Sequence, residues 1–167
     1  MREVVVESLF HNVSVEGFAE VYFSEEVNEE AAKCLGLKER KLVEKVENED
    51  GTIGRRVKMS LSLQLPKAIQ KILSGAPIEY FEVSTYDPKD QRIEYRVESA
   101  ADDVVKVSGT ITFIKTGTGV VRRIDGTVEV KIFGVGGLIE RFIDKEVGKA
   151  YAKVAVVMQA AIDDKHS

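Results

Sequence analysis

Few side chains in this sequence carry chemistry by type, and spacing decides what each can do. Glu140 follows the run Gly134-Val135-Gly136-Gly137 and falls close to Val147 and Met158 on a helical wheel. A carboxylate at the rim of an apolar helix face can serve as a general acid or hold a cation. Its competing role is local. With Gly137 as the cap, Glu140 is the third helical residue, accepting from free backbone N–H groups, with Arg122 or Arg123 as a charged partner. We read Glu140 as structural first. His11 and His166 each lack a second ligand at metal spacing, and zinc wants three or four. Cys34, the single cysteine, excludes an intrachain disulfide and a cysteine-cluster metal site. With no histidine near it in sequence, it is expected to pack as a small hydrophobe. No metal and no cofactor is expected.

The glycines before the helix invite a phosphate cradle. The third glycine of G-x-G-x-x-G would fall on Ile139, however, and only 30 residues follow Gly137. No second parallel strand fits there, so the run reads as a tight strand-to-helix corner. Among the aromatics, Tyr95, Phe113, Phe142 and Tyr151 are expected to face inward, as core or as ligand contacts.

The elements that must position these groups follow from periodicity. From about residue 134 to residue 162, apolar side chains recur at three-to-four-residue spacing: Ile139, Phe142/Ile143, Val147, Ala150, Val154, Val157/Met158 and Ala161. That is one face of a long helix. Before it come strands. Val4 to Phe10 forms the first, and two short helices follow, begun by Ser14 or Asn12 and by Ser24, and stopped at Gly36. Residues 42–46 make a weak, charged strand that turns at Asp50-Gly51. The return strand alternates Val57, Met59, Leu61, Leu63 and Leu65 against polar residues. Pro66 opens a short amphipathic helix over residues 67–73, bracketed by Gly75. Four more strands follow, over residues 78–86, 92–98, 104–115 and 120–133, joined by tight turns. Short connections pair neighbouring strands antiparallel. A sheet apolar on one face needs a cover, and the C-terminal helix is the element long enough.

Composition sets the outer bounds. Apolar residues make up 44% and charged ones 31%, with a net charge of −4. No basic tract marks a nucleic-acid surface. No run is long enough to span a membrane and no secretory signal is visible, so a cytoplasmic location is expected. The expectation is one domain over residues 1–167.

The order of elements, the proline-led helix of residues 66–75, and the motif Gly126…Phe133-Gly134-Val135-Gly136-Gly137-Leu138-Ile139-Glu140 resemble the START-like superfamily. That superfamily is also called SRPBCC, helix-grip or polyketide-cyclase-like. The likeness is nearest to an uncharacterised bacterial family within it. The resemblance implies an α+β helix-grip fold: a seven-stranded antiparallel sheet wrapped around the C-terminal helix. Two short helices follow strand 1, and a further one lies between strands 3 and 4. It also implies a cavity between sheet and helix that holds a hydrophobic small molecule, lipid-like, sterol-like or polyketide-like. It carries no shared catalytic residue.

From strand and helix phase, the cavity-lining candidates are Met59, Leu61, Leu63, Tyr95, Val97, Phe113, Ile143, Val147, Tyr151 and Val154. Arg122 and Glu140 are candidate polar groups of the cavity. Ile69, Ile72 and Leu73 are candidates for a lid that makes transient membrane contact. Binding or transfer leads. The alternative is a cyclase or dehydratase acting on a hydrophobic substrate, with Glu140, Arg122, Tyr95 or His11 as its polar groups. A regulatory module with a protein partner is a third reading.

Overall fold

Alternating apolar and polar residues build one antiparallel sheet in the computed structural model, which describes residues 1–61, 65–73 and 78–166, without the side chains of Ala68, Ile72 and Leu73. The strands are β1 (Arg2–His11), β2 (Glu39–Glu47), β3 (Ile53–Leu61), β4 (Ile78–Asp87), β5 (Arg92–Ser99), β6 (Val105–Lys115) and β7 (Gly119–Val130). Helices α1 (Val15–Phe23) and α2 (Glu25–Leu35) follow β1, α3 (Lys67–Leu73) joins β3 to β4, and α4 (Gly136–Lys165) closes the chain. The spatial order β1-β7-β6-β5-β4-β3-β2 brings the first strand beside the last. The fold is α+β, as the element order predicts.

Local chemistry sets the boundaries. Ser14 caps α1, its Oγ accepting from the Gly17 N–H at 3.0 Å. Ser24 ends α1 and starts α2, accepting from the Val27 N–H at 3.3 Å. Gly36 stops α2 in the left-handed region, at φ 68°, where a Cβ costs energy that glycine avoids. The β2–β3 connection is longer than a two-residue turn. Asn48 and Thr52 close it, Gly51 sits at φ 87°, and the Asp50 carboxylate accepts from the Thr52 N–H at 3.0 Å.

Helix α4 lies over β1 and β7, flanked by α1 and α2. Both its ends are tied to the sheet. At the start, Glu140 accepts from the Val130 N–H at 3.0 Å, and Arg2 donates to Asp144 at 2.6 Å. Gly136 passes so close to β7 that a Cβ there would lie 2.4 Å from the Val130 carbonyl oxygen. Toward the other end, Gln159 accepts from the His11 N–H at 2.9 Å and donates to its carbonyl at 3.2 Å.

Side chains fill two parts of the interior. The larger core is aromatic: Phe18 lies 4.6 Å from Phe10 and 4.9 Å from Phe113, ring centre to ring centre. Tyr22 is 5.1 Å from Phe113, and Phe23 is 4.7 Å from Tyr86. Such tilted and edge-on pairs add to the burial of their area. A smaller aliphatic cluster of Val4, Val128, Val130 and Ile139 sits under the start of α4.

Several expectations give way here. Strand β7 ends at Val130, because the chain turns there into the helix corner and leaves Phe133 fully exposed. Val135, not Gly137, is the N-cap of α4, and no side chain caps it. Leu65 lies beyond the end of β3, and Leu63 lies outside the described residues. Cys34 is exposed on α2 instead of packed.

Candidate functional site

Register fixes which side chains face the helix. On β4, Tyr80, Glu82 and Ser84 share the face of Tyr86, which is buried in the aromatic core. Strand pairing extends that face. Tyr80, Glu82, Ser84 and Tyr86 stand opposite Met59, Val57, Arg55 and Ile53 of β3. On the other side Glu82 and Ser84 stand opposite Val97 and Tyr95 of β5. Arg40 and Leu42 of β2 continue the row through Met59 and Val57. The backbone of α4 comes close to β1 and β7 but, among the described residues, makes no comparable approach to β2–β5. There the distance between sheet and helix is crossed by side chains alone.

These side chains are only partly buried. Tyr22, Glu82 and Tyr151 are surrounded by protein, which is why burial dominates their titration. Each nonetheless keeps part of its surface uncovered, as do Met59, Tyr80, Tyr95 and Val97. Tyr22, Tyr95 and Tyr151 at the same time pack against the aromatic core.

Two glycines set how Tyr95 lies on the sheet. Gly109 of β6 and Gly126 of β7 are cross-strand partners, and Tyr95 is the partner of Gly109 on the other side. With no side chains there, Tyr95 leans across both. A Cβ on Gly126 would lie 2.6 Å from its hydroxyl, and one on Gly109 3.0 Å. Tyr80, one strand further, donates to the Met59 sulfur at 3.3 Å.

The interior also holds charge. Burial pushes the Glu82 carboxyl up, and the guanidinium groups of Arg40 and Arg55 pull part of that back. Both arginines are themselves ion-paired to Glu25 of α2, at 3.1 and 2.8 Å. Glu82 has no hydrogen bond or ion pair among the described residues. Burial also pushes the Tyr95 hydroxyl up to about 12, helped by Glu82 and Asp125. Tyr22, Tyr80 and Tyr151 shift upward for the same first reason, with Glu82 contributing each time. One carboxyl thus stands within electrostatic reach of four phenols.

Arg122 is wholly buried. Its guanidinium lies 4.9 Å from the Tyr151 ring centre and 5.4 Å from that of Phe10. It donates to Ser8 Oγ at 3.1 Å and to the Tyr151 carbonyl at 3.3 Å, while its Nε has no partner. Burial lowers its pKa, yet a guanidinium stays protonated in a protein. It braces Tyr151 from behind, having no exposed surface of its own.

The residues picked from sequence divide accordingly. Met59, Tyr95 and Val97 lie on the helix-facing side of β3 and β5, Tyr95 and Tyr151 pack against the aromatic core, and Leu61 follows Met59 on β3 with partial burial. Phe113 is buried among aromatic rings, and Val154 packs against the same core. Ile143 and Val147 pack on the aliphatic cluster under the start of α4, as does Ile69 of α3. The side chains of Ile72 and Leu73 lie outside the described residues. Phe142 does not join the core; it lines a surface groove of about 300 Å³ with Pro66, Leu138, Ile139, Arg141 and Lys145. Glu140 pairs with neither Arg122 nor Arg123. Its carboxylate is held low first by the Val130 N–H and then by the N-terminal amine, 3.5 Å away. Arg123 faces outward, paired with Asp125 at 2.8 Å and Glu7 at 2.6 Å. His11 is exposed. Among the described residues no group of His, Cys, Asp and Glu is placed to hold a metal ion.

Sequence reasoning did not single out Glu82, Tyr80, Tyr22, Arg40 or Arg55. For Glu82 a signal existed: period two puts it in phase with Tyr80 and Tyr86, so the buried tyrosine carries the carboxylate inward with it.

Comparison with known proteins places these observations. A family model described as "Protein of unknown function (DUF2505)" matches residues 8–162. No curated protein matches the chain. Among solved structures, the TTHA0849 protein of Thermus thermophilus aligns with TM-score 0.72 at 16% identity, covering 99% of this chain and 100% of that one. The Zhui aromatase/cyclase of Streptomyces sp. R1128 aligns with TM-score 0.66 at 12% identity, over 99% and 96%. A norcoclaurine synthase of Thalictrum flavum aligns with TM-score 0.68 at 16% identity, over 99% and 98%. These likenesses establish the fold as START-like, and at such identities the fold alone.

Proposed function

The chain belongs to the DUF2505 family, and we propose that it binds, and hands on, a small and largely apolar molecule held between the sheet and α4. One observation carries the reading: the enclosed, incompletely covered side chains of β3–β5, where α4 does not approach the sheet. Pockets of that kind, apolar with a few converging polar groups, are where small molecules bind. That relatives of the same fold include an aromatase/cyclase and a norcoclaurine synthase supports a small-molecule role without naming the molecule.

The same relatives motivate a second reading, an enzyme of the cyclase or dehydratase kind using this space. Glu82 favours it, as an enclosed carboxyl with a raised pKa. Binding leads because, among the described residues, no second titratable side chain is hydrogen-bonded to Glu82 to make a catalytic pair with it.

The rim suggests how a ligand arrives. Leu138 is exposed in the groove that Pro66 and Phe142 line, with Arg141 and Lys145 beside it, and Phe133 is exposed at the corner that leads into α4. We read α3 as a lid over this end and the rim as the part that touches a membrane transiently. Among the described residues no helix is long and apolar enough to cross one.

Native mass spectrometry of protein purified from its own host tests the main reading. A non-covalent small-molecule adduct is expected, replaced by an environment-sensitive apolar dye after extraction. Protein that arrives bare and takes up no dye has its interior filled by its own side chains, and the reading fails.

A further inference from the structure

The apolar-ligand reading leaves a set of polar groups unexplained. The hydroxyls of Tyr22, Tyr95 and Tyr151 and the carboxyl of Glu82 have no hydrogen-bond partner among the described residues. They are not sealed in, either. Among the described residues the only side-chain N and O atoms both sealed and unpaired are the Nε atoms of Arg55 and Arg122. Polar groups enclosed in a protein are nearly always paired, with protein, ordered water or a ligand. Unsealed and unpaired within the chain, these four groups are met by water or by a polar group of a ligand.

What meets them is constrained by charge and by hydrogen count. Three phenols offer three O–H donors. The fixed charges around Glu82 are Arg40 of β2 and Arg55 of β3, both paired to Glu25, with Arg122 behind Tyr151. The phenols facing Glu82 come from α1, β4, β5 and α4, namely Tyr22, Tyr80, Tyr95 and Tyr151. Three guanidinium groups against two carboxylates leave the interior with an excess of positive charge, which disfavours a cationic ligand. With Glu82 protonated, its carboxyl adds a fourth O–H donor to the three phenols, and a molecule that brings acceptors fits that set.

We propose that Glu82 is the polar anchor of the site, acting as a neutral carboxyl that donates to a carbonyl oxygen of the ligand, with Tyr95 and Tyr151 as further donors. The ligand class is then an uncharged, carbonyl-bearing molecule with an apolar body. This rests on the binding function proposed above and sharpens it. Burial favours the proton that the role requires. As pH rises through the raised pKa of Glu82, the donor is lost and carbonyl binding falls with it.

Fluorescence titration with three naphthalene probes tests the assignment: prodan, which is a naphthyl ketone, its carbonyl-free parent dimethylaminonaphthalene, and naphthylmethylammonium. The wild type should bind prodan about tenfold tighter than the parent at mildly acid pH, the worth of one good hydrogen bond from a buried donor. That margin should shrink as pH is raised. Glu82→Gln, whose amide still donates, should keep most of the preference and lose its pH dependence. Glu82→Ala should bring prodan down to the level of the parent. If the wild type binds parent and prodan alike, Glu82 is no carbonyl anchor, although the apolar space stands. If naphthylmethylammonium binds best and Glu82→Gln abolishes that, Glu82 works as a carboxylate and the carbonyl assignment is overturned. If none of the three binds, the space itself is closed and both proposals fall. Should Glu82→Ala not fold, the glutamine variant and the wild-type pH series decide.

Discussion

At the scale of single residues, the floor of the interior depends on two missing side chains. Tyr95 leans over Gly109 and Gly126, and its hydroxyl occupies the volume that a Cβ on Gly126 would take. Gly126→Ala should therefore push the phenol away and destabilise the protein by about 1–3 kcal/mol, the usual cost of overpacking. Tyr95→Phe should restore part of that loss in the double variant, since the ring carbon is 3.8 Å away, an ordinary contact, while the Ser108 carbonyl oxygen stays tight at 3.2 Å. Gly109→Ala should not be rescued, because its Cβ meets backbone: Asp125 O at 2.4 Å and Gly126 Cα at 2.6 Å. Thermal melts of the four proteins check this. A double variant no more stable than Gly126→Ala would mean that Tyr95 does not lie where described. Residue-level detail of this kind was the least legible part of the sequence. Adjacent arginines in a strand must point opposite ways, but nothing in Arg122-Arg123 says which goes inward. Register decides, by setting Arg122 against Ser8 and Phe113. Glu82 was missed for a related reason: a carboxylate in a strand reads as outward until its neighbours' faces are known.

At the scale of elements, much more could be read ahead. Strict alternation, an Asp-Gly turn, two serine caps and one long apolar helical stripe are local signals, and the sheet, α1, α2 and α4 follow from them. Ends were less legible than middles, because a long-range bond fixes the corner after Val130: the Glu140 carboxylate reaches back to the Val130 N–H. Helix α3 is the element proposed as a lid. It is only seven residues long, too short to be stable alone in water, so its docking through Ile69 onto the aliphatic cluster has to hold it. A lid needs that docking to be weak. Hydrogen exchange should find amides 67–73 opening much faster than amides 57–61 of β3, and faster still when anionic vesicles are added. Equal protection with and without vesicles would make α3 a fixed connector.

At the scale of the whole molecule, overall charge and the local rim pull in opposite directions. The chain carries a net −4, which repels an anionic membrane. The corner between β7 and α4 nonetheless presents Phe133 and Leu138 to solvent with Lys131, Arg141 and Lys145 around them. Among nearby acids, Glu140 is occupied with Val130 and the N-terminus and Asp144 with Arg2, while Glu129 lies 4.0 Å from Lys131 and leaves Arg141 and Lys145 as the main cations of the corner. Apolar side chains ringed by cations suit the boundary between headgroups and acyl chains. Burying a phenylalanine or leucine there is worth about 1.5–3 kcal/mol each, and each lysine or arginine near the surface about 1 kcal/mol. Those gains are small enough for the contact to be reversible, as delivery of a ligand requires. In co-sedimentation, the protein should bind vesicles containing phosphatidylserine and not vesicles of phosphatidylcholine alone. Raising the salt should weaken it, because exposed charges are screened beyond roughly 8 Å at physiological ionic strength. Phe133→Ser together with Leu138→Ser should reduce binding at least tenfold if both insert, with little change in melting temperature, since neither side chain is buried. If the double variant sediments like the wild type, this corner is not the part that meets the membrane.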